Sequence, residues 1–310
     1  TILFEHFNVE KLSEYLHSNF PENFRKQMDA TKKSVALACS DTQANTAVSS
    51  QRIPERALLI PESELDRYPA EKEHIARITN SFEMEGLAYA RKEIAPLIFL
   101  GANRESFFYI AERDNIVLAF LYNGPLEALD ALAEELAGYC LAENKRVYFL
   151  LEHNLKSIKN RELGSTVIGV LQRLEQLPPE LGSKKYRHLR YAISHFQKAG
   201  NCHVQEYRIN SAPDMDEKII SIIDQWCASK KMVNQYIQKV KDQILTKAFP
   251  GIYRFFLTFL DDELISVIVI TPIPACNGYL MDLEFYPPSM PLGGLEYSIY
   301  TIYQKLQSEG

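Results

Sequence analysis

Several kinds of chemistry have no foothold in this 310-residue sequence. There is no G-x-S-x-G elbow and no Cys–His pairing visible along the chain, so hydrolysis through a covalent nucleophile is unsupported. Walker A and dinucleotide-binding glycine patterns are missing as well. Cysteine is scarce: Cys39, Cys140, Cys202, Cys227 and Cys276 are widely spaced, odd in number and form no C-x-x-C pair. A disulfide framework or zinc site is therefore not expected, and a reducing, cytoplasmic compartment fits best. His153, His188, His195 and His203 sit at no ligand spacing, so no metal is expected. No apolar run reaches the ~20 residues of a membrane-crossing helix. Thr1-Ile2-Leu3-Phe4 is too short for a signal peptide, and the chain reads as trimmed, with an unfinished last unit. A basic balance is lacking too. The formal charge of −6 argues against coating long nucleic acid, though not against one local basic patch.

What is present is the mix of a folded globular protein, 46% hydrophobic and 24% charged residues. Residues 9–30 carry a helical stripe, 39–55 read as a polar loop or linker, and 62–82 read as a charged helix. An α/β alternation begins at 95. Strands are expected at 97–100, 106–110 and 116–120, a helix over 126–143, and a buried strand at 147–151. A second unit repeats the order. Ser211 and Asp214 have the spacing of a capping box ahead of a helix bearing Ile219, Ile223 and Trp226. Strands follow at 252–260, 264–271 and 278–285, then a Pro/Gly-rich loop over 287–294 and a helix over 295–308. The division between units is expected near Leu177-Pro178-Pro179.

Two constellations carry chemistry. In Lys184-Lys185-Tyr186-Arg187-His188-Leu189-Arg190-Tyr191, read as a helix closed by Gly200, an apolar stripe lies opposite Arg187, Arg190 and Tyr191. Such a run holds phosphates, arginine through a bidentate fork, or else is a solvated face. The second is the strand Tyr279 to Phe285, which carries Asp282 and Glu284, with the loop to Gly293-Gly294 and the helix bearing Glu296. Free N–H groups at a helix start attract a phosphate or an oxyanion, and glycines let a ligand approach. An ordinary strand-to-helix turn has the same sequence appearance.

Residues 84–203 resemble the first half of the lysylphosphatidylglycerol synthase C-terminal (DUF2156) family. The matching order is Asn123-Gly124-Pro125, the helix 126–143, Val147 to Leu151, Glu162-Leu163-Gly164, and Gly182 to Arg190 with the helix ending Lys198-Ala199-Gly200. The second match is Asp282-Leu283-Glu284-Phe285 through Pro291-Leu292-Gly293-Gly294-Leu295-Glu296-Tyr297. Together the matches span about 225 residues to the chain's end. Family members carry an Asp-Leu pair, a Pro-x-Gly turn and an acid at the Glu296 position. Many also carry an Arg where this chain has Phe285, which points to a different acceptor.

The resemblance implies an α/β (α+β) chain of two tandem acetyltransferase (GNAT)-like domains with mixed sheets flanked by helices. The expected division is 1–83 as a helical extension and linker, 84–180 as the first domain, 181–203 as a connecting basic helix, and 204–310 as the second domain. It implies transfer of an amino acid from aminoacyl-tRNA to a hydroxyl or amine acceptor without a cofactor. Asp282 and Glu296 are the expected catalytic carboxylates, binding the α-ammonium or acting as base. Lys184, Lys185, Arg187, Arg190, Tyr191, Arg254, Gly293 and Gly294 are the expected tRNA- and substrate-binding set. Alternatives are an acyl-CoA-dependent N-acyltransferase, with pyrophosphate at 292–296, and a non-catalytic interaction module. The expected acceptor is a small, water-soluble molecule entering between the two domains; phosphatidylglycerol is the other choice. For a lipid acceptor, the membrane-facing candidate is 229–247, whose lysines surround Tyr236, Ile237, Val240 and Ile244. That stripe is read first as core.

Overall fold

The computed structural model describes residues 57–83, 91, 94–151, 155, 157–158, 161–166, 181–231, 233 and 236–309. The helix expected at 9–30, the loop at 39–55 and the expected boundary at 177–179 lie outside these residues. The chain divides into two units. One runs to Ile168 and takes in Ile273–Gly278; the other comprises Gly169–Pro272 and Tyr279–Gly310.

The first unit is built on a five-stranded sheet in the order β1-β2-β3-β4-β5. Its strands are β1 (Leu58–Pro61), β2 (Leu97–Leu100), β3 (Phe107–Arg113), β4 (Ile116–Asn123) and β5 (Arg146–Phe149). Antiparallel pairing runs from β1 to β4, while β5 lies parallel to β4. That parallel step requires a crossover, which helix α2 (Leu129–Ala142) supplies. Helix α1 (Pro69–Phe82) covers the opposite face. Phe99, Phe108 and Ile110 pack with Leu129, Leu132 and Leu136 of α2, whereas Ile98, Leu100, Phe107 and Tyr109 pack with Ile75 and Ile78 of α1. Both faces are buried, which is why these strands read as continuous apolar runs. The register shifts between Tyr109, which faces Leu121, and Ile110, which faces Ala119. The shift swings Leu121 to the α1 side although Val117 and Ala119 face α2. A short hairpin, β6 (Ser157–Ile158) with β7 (Arg161–Glu162), follows β5.

Because β1 and α1 belong to this sheet and its core, the expected boundary at 83/84 falls inside the unit. The reason is packing: without Ile75 and Ile78 one face of the sheet would be bare.

The second unit has a four-stranded sheet in the order β11-β10-β9-β8. The strands are β8 (Cys202–Tyr207), β9 (Arg254–Leu260), β10 (Glu263–Ile273) and β11 (Gly278–Phe285). The expected mixed pairing holds for the first sheet; here β8–β9 and β9–β10 are antiparallel. The β9–β10 turn uses Asp261 and Asp262 at φ 49° and 66°, a left-handed pair that Asp tolerates. Helix α3 (Arg187–Gln197) is a part of this unit rather than a connector. Helices α4 (Pro213–Ala228) and α5 (Tyr236–Leu245) follow β8, and α6 (Gly294–Glu309) ends the unit. Leu295, Ile299, Ile302 and Leu306 of α6 pack on Val204, Phe256, Ile268 and Ile270.

The capping box does not form. Ala212 occupies the N-cap of α4 and makes no side-chain cap bond. Tyr207 takes over instead: its hydroxyl donates to Asp216 Oδ1 at 2.9 Å and accepts from the Ala212 N–H at 3.0 Å. Asp216 also accepts from the Asn210 N–H at 3.1 Å. Helix α5 begins at Tyr236, later than the stripe suggested, and Tyr236, Ile237, Val240 and Ile244 are buried core. The apolar face once eligible for a membrane is therefore used within the unit.

Candidate functional site

The loop from β11 to α6 is shaped by its two glycines. Gly293 has φ +88°, and a Cβ there would meet the Ala192 carbonyl oxygen of α3 at 2.0 Å. A Cβ on Gly294 would meet the Met290 methyl at 2.6 Å and the Phe196 ring at 3.2 Å. The space left by the missing side chains is thus filled by α3 and the loop itself. These glycines seat α6 against α3 and do not open a path for a ligand on that side. The Phe196 and Tyr297 rings, with centroids 5.2 Å apart, complete the α3–α6 contact. Beneath α6, Ser298 Oγ donates to the Gly294 carbonyl at 2.8 Å and lies 2.6 Å from Thr258 Oγ1, fixing the helix's first turn in the core.

Asp282 lies half-buried on β11, and its charge helps hold the buried Tyr236 hydroxyl of α5 in its neutral form. Burial is the larger cause of that upward shift, and Asp282 adds to it. Glu296, in the first turn of α6, is exposed. The expected carboxylate pair therefore has one member sheltered by the fold and one in solvent. Glu284, two residues beyond Asp282, is the carboxylate whose pKa rises, first through burial and against the pull of Lys230.

The basic segment splits in two. Lys184, Lys185, Arg187 and His188 are exposed around the start of α3, and Tyr191 is 64% exposed one turn on, its ring 6.0 Å from that of His195. Arg190 is different: its guanidinium donates to the Leu181 carbonyl and, at 2.7 Å, to the Ser183 carbonyl. It anchors the segment before α3, so its expected phosphate-gripping role is corrected to a structural one. Arg254 is corrected in the same way. Its fork is shared between Glu206, at 2.8 and 2.9 Å, and Glu309, at 2.7 and 2.9 Å, with the Tyr279 hydroxyl at 3.2 Å. All five donors of a guanidinium have work inside the unit. These bonds, Glu206 first and Glu309 next, push the Arg254 pKa up and hold the Glu309 carboxyl down to about 2.

The place of Phe285 is also legible. Phe285 is buried and meets the Trp226 ring edge-on at 5.4 Å, so it is a packing residue of β11.

The solved structures most like this one include two of relevant description. The C-terminal domain (DUF2156) of a protein assigned as a lysylphosphatidylglycerol synthetase in Agrobacterium fabrum matches over 78% of this chain and 76% of its own, with a TM-score of 0.50 and 13% identity. L-PGS from Bacillus licheniformis matches over 77% and 72%, with a TM-score of 0.52 and 12% identity. This chain has the fold of the lysylphosphatidylglycerol synthetase C-terminal domain. The acetyltransferase-like α/β class read from the sequence stands with it. No family model matches the sequence, and neither does any curated protein. At 12 and 13% identity the lysylphosphatidylglycerol synthetase fold is shared while side chains are free to differ. Among the described residues no helix is long and apolar enough to cross a membrane, and no group of His, Cys, Asp and Glu has metal-site geometry.

What sequence reasoning missed is the company of these groups. Tyr236 beside Asp282, and Lys230 among Trp226, Tyr286 and Glu284, come from elements up to 60 residues apart. No local spacing signals them.

Proposed function

We propose that this protein is an aminoacyltransferase that moves an amino acid from aminoacyl-tRNA to a hydroxyl or amine of a small, water-soluble acceptor. The observation that carries the reading is the exposed strip of Lys184 and Lys185, just before α3, with Arg187 and Tyr191 on α3, in the same unit as the half-buried Asp282 and in the fold of lysylphosphatidylglycerol synthetases. An aminoacyl ester is already activated, so the protein's task is to hold the ester near the acceptor and stabilise developing charge. The strip supplies fixed positive charge and an aromatic face for the nucleic acid, as single-stranded RNA ends require. Asp282, half-buried on β11, binds the substrate ammonium or takes the acceptor's proton. Glu296, exposed at the helix start, serves the arriving substrate rather than the reacting bond.

The test is loss of labelled amino acid from aminoacyl-tRNA, measured with and without protein, against a pool of soluble amines and hydroxyl compounds and, separately, phosphatidylglycerol vesicles. Acceptor-dependent transfer to a soluble product is expected. Arg187→Ala raises the KM for tRNA and flattens its salt dependence. Labelled lipid as the product would overturn the choice of acceptor. Unchanged ester half-life under every condition would overturn the transferase reading.

A further inference from the structure

Where the end of α4 meets the end of β11, a cluster stands that the proposed reaction leaves unused. Trp226 is the chain's single tryptophan, set edge-on to Phe285. Lys230, two residues beyond the helix, brings its Nζ to 5.1 Å from the Trp226 ring centroid and 5.8 Å from that of Tyr286. Both distances lie within the ~6 Å over which an aromatic face attracts a cation. Glu284 precedes Tyr286 by two residues on the same stretch and feels the Lys230 charge through space. Two rings thus flank one ammonium group, and the Glu284 carboxylate lies near enough to feel its charge. Trp226, Lys230, Glu284 and Tyr286 all keep partial exposure, so a cation can leave and another enter without opening the core.

We infer that Trp226, Tyr286 and Glu284 form an ammonium-binding site, filled in the free protein by Lys230 and taken over by the ammonium of an amino-acid ligand. The choice of ligand rests on the aminoacyl-transfer reading. Every aminoacyl ester carries an α-ammonium, and a lysyl ester carries a second on its side chain. Lys230 acts as a tethered competitor at high local concentration, so only a ligand held by further contacts displaces it. Rings attract the cation by their quadrupole and exclude water, and the carboxylate supplies the counter-charge that a desolvated ammonium needs.

Trp226 is its own reporter. Emission is titrated with L-lysine amide and L-norleucine amide, which differ in the side-chain ammonium alone, on the wild type, Lys230→Met and Lys230→Gln. A saturable change is expected, ~10-fold tighter in the Lys230 variants because the tethered competitor is gone. Glu284→Gln in the Lys230→Met background should abolish it. A response to lysine amide alone identifies the side-chain ammonium as the ligand; equal responses identify the α-ammonium. Flat titrations with both amides in both Lys230 variants, with native circular dichroism retained, overturn the proposal, and so does undiminished binding after Glu284→Gln. Neither tRNA nor acceptor enters this measurement. Binding without turnover would therefore sink the transferase reading alone, and turnover without binding would sink this site alone.

Discussion

Arg91 in the first unit and Arg254 in the second are each tied to carboxylates far away in sequence, and the two are solved differently. In the first unit Arg91 is 2% exposed, its guanidinium bonded to Glu62 at 3.1 and 3.3 Å and stacked 3.9 Å from the Tyr109 ring centroid. Burial alone would weaken its charge; Tyr109 and Glu62 outweigh that, and the Arg91 pKa rises. The same burial pushes the Tyr109 hydroxyl up to about 12. In the second unit Arg254 joins β8, β9 and the last turn of α6, but its partners stay within reach of water. A charge cut off from solvent cannot lose its partner cheaply, whereas one at the rim can be rescued by water and salt. The first unit therefore holds this ion pair as an interior fixture. The second keeps most of its charge at surfaces that a ligand can contact.

The sharpest way to break the comparison is to remove the buried cation. Arg91→Ala should cost about 3 kcal/mol in urea unfolding, nearly independent of salt, because Glu62 loses its partner in a sheltered position. A cost under about 1 kcal/mol would show that water reaches this corner. Gly293→Ala should follow at about 3 kcal/mol, since it combines a left-handed backbone with a collision against α3. Gly164, with nothing within 4 Å of its absent Cβ, is the control and should change stability by under about 0.5 kcal/mol on going to Ala.

Arg254→Ala should cost about 1 kcal/mol, less at high salt. This network also carries a pH signature. The Glu206 and Glu309 carboxyls titrate below the ordinary Glu value of 4.5, Glu309 at about 2. A lowered carboxylate pKa contributes stability above the unfolded value and loses it as pH falls through the folded one. The wild type should therefore lose this contribution between pH 4.5 and 2, a slope that Arg254→Ala flattens in acid unfolding curves. Smallest of all is Arg187→Glu, which should leave the melting temperature within about 1 °C while weakening tRNA binding. Arg190→Ala should do the reverse, lowering stability through the freed Leu181 and Ser183 carbonyls. If the two arginines behave alike, their separation into surface and anchor fails.

Some of this was readable along the chain. Leu97 to Leu100 and Phe255 to Phe259 announce themselves because burial leaves no room for polar alternation, and the Asp261-Asp262 turn is marked by its residue types. Strand β8 was missed because Cys202 to Tyr207 lies at a sheet edge and mixes polar with apolar side chains. Strand β1 is four residues long and offers no pattern. The basic run before α3 was visible as charge, yet charge does not say where a guanidinium turns. Arg190 turns back on its own segment, and Arg254 finds partners 48 and 55 residues away. The pair Gly293-Gly294 was read as room for a ligand. Only the neighbouring helix shows that the room is taken.

The grip of Gly293 on Ala192 has a thermodynamic consequence. With the Phe196–Tyr297 contact and the Ser298 bond to Gly294, it holds α3 in position before any partner arrives. A polyanion docking on Lys184, Lys185 and Arg187 meets charges on an already ordered backbone and spends its contact energy on affinity instead of on immobilising the helix. Association is then set by encounter and long-range attraction, fast at low ionic strength, with no slow conformational phase in stopped-flow mixing.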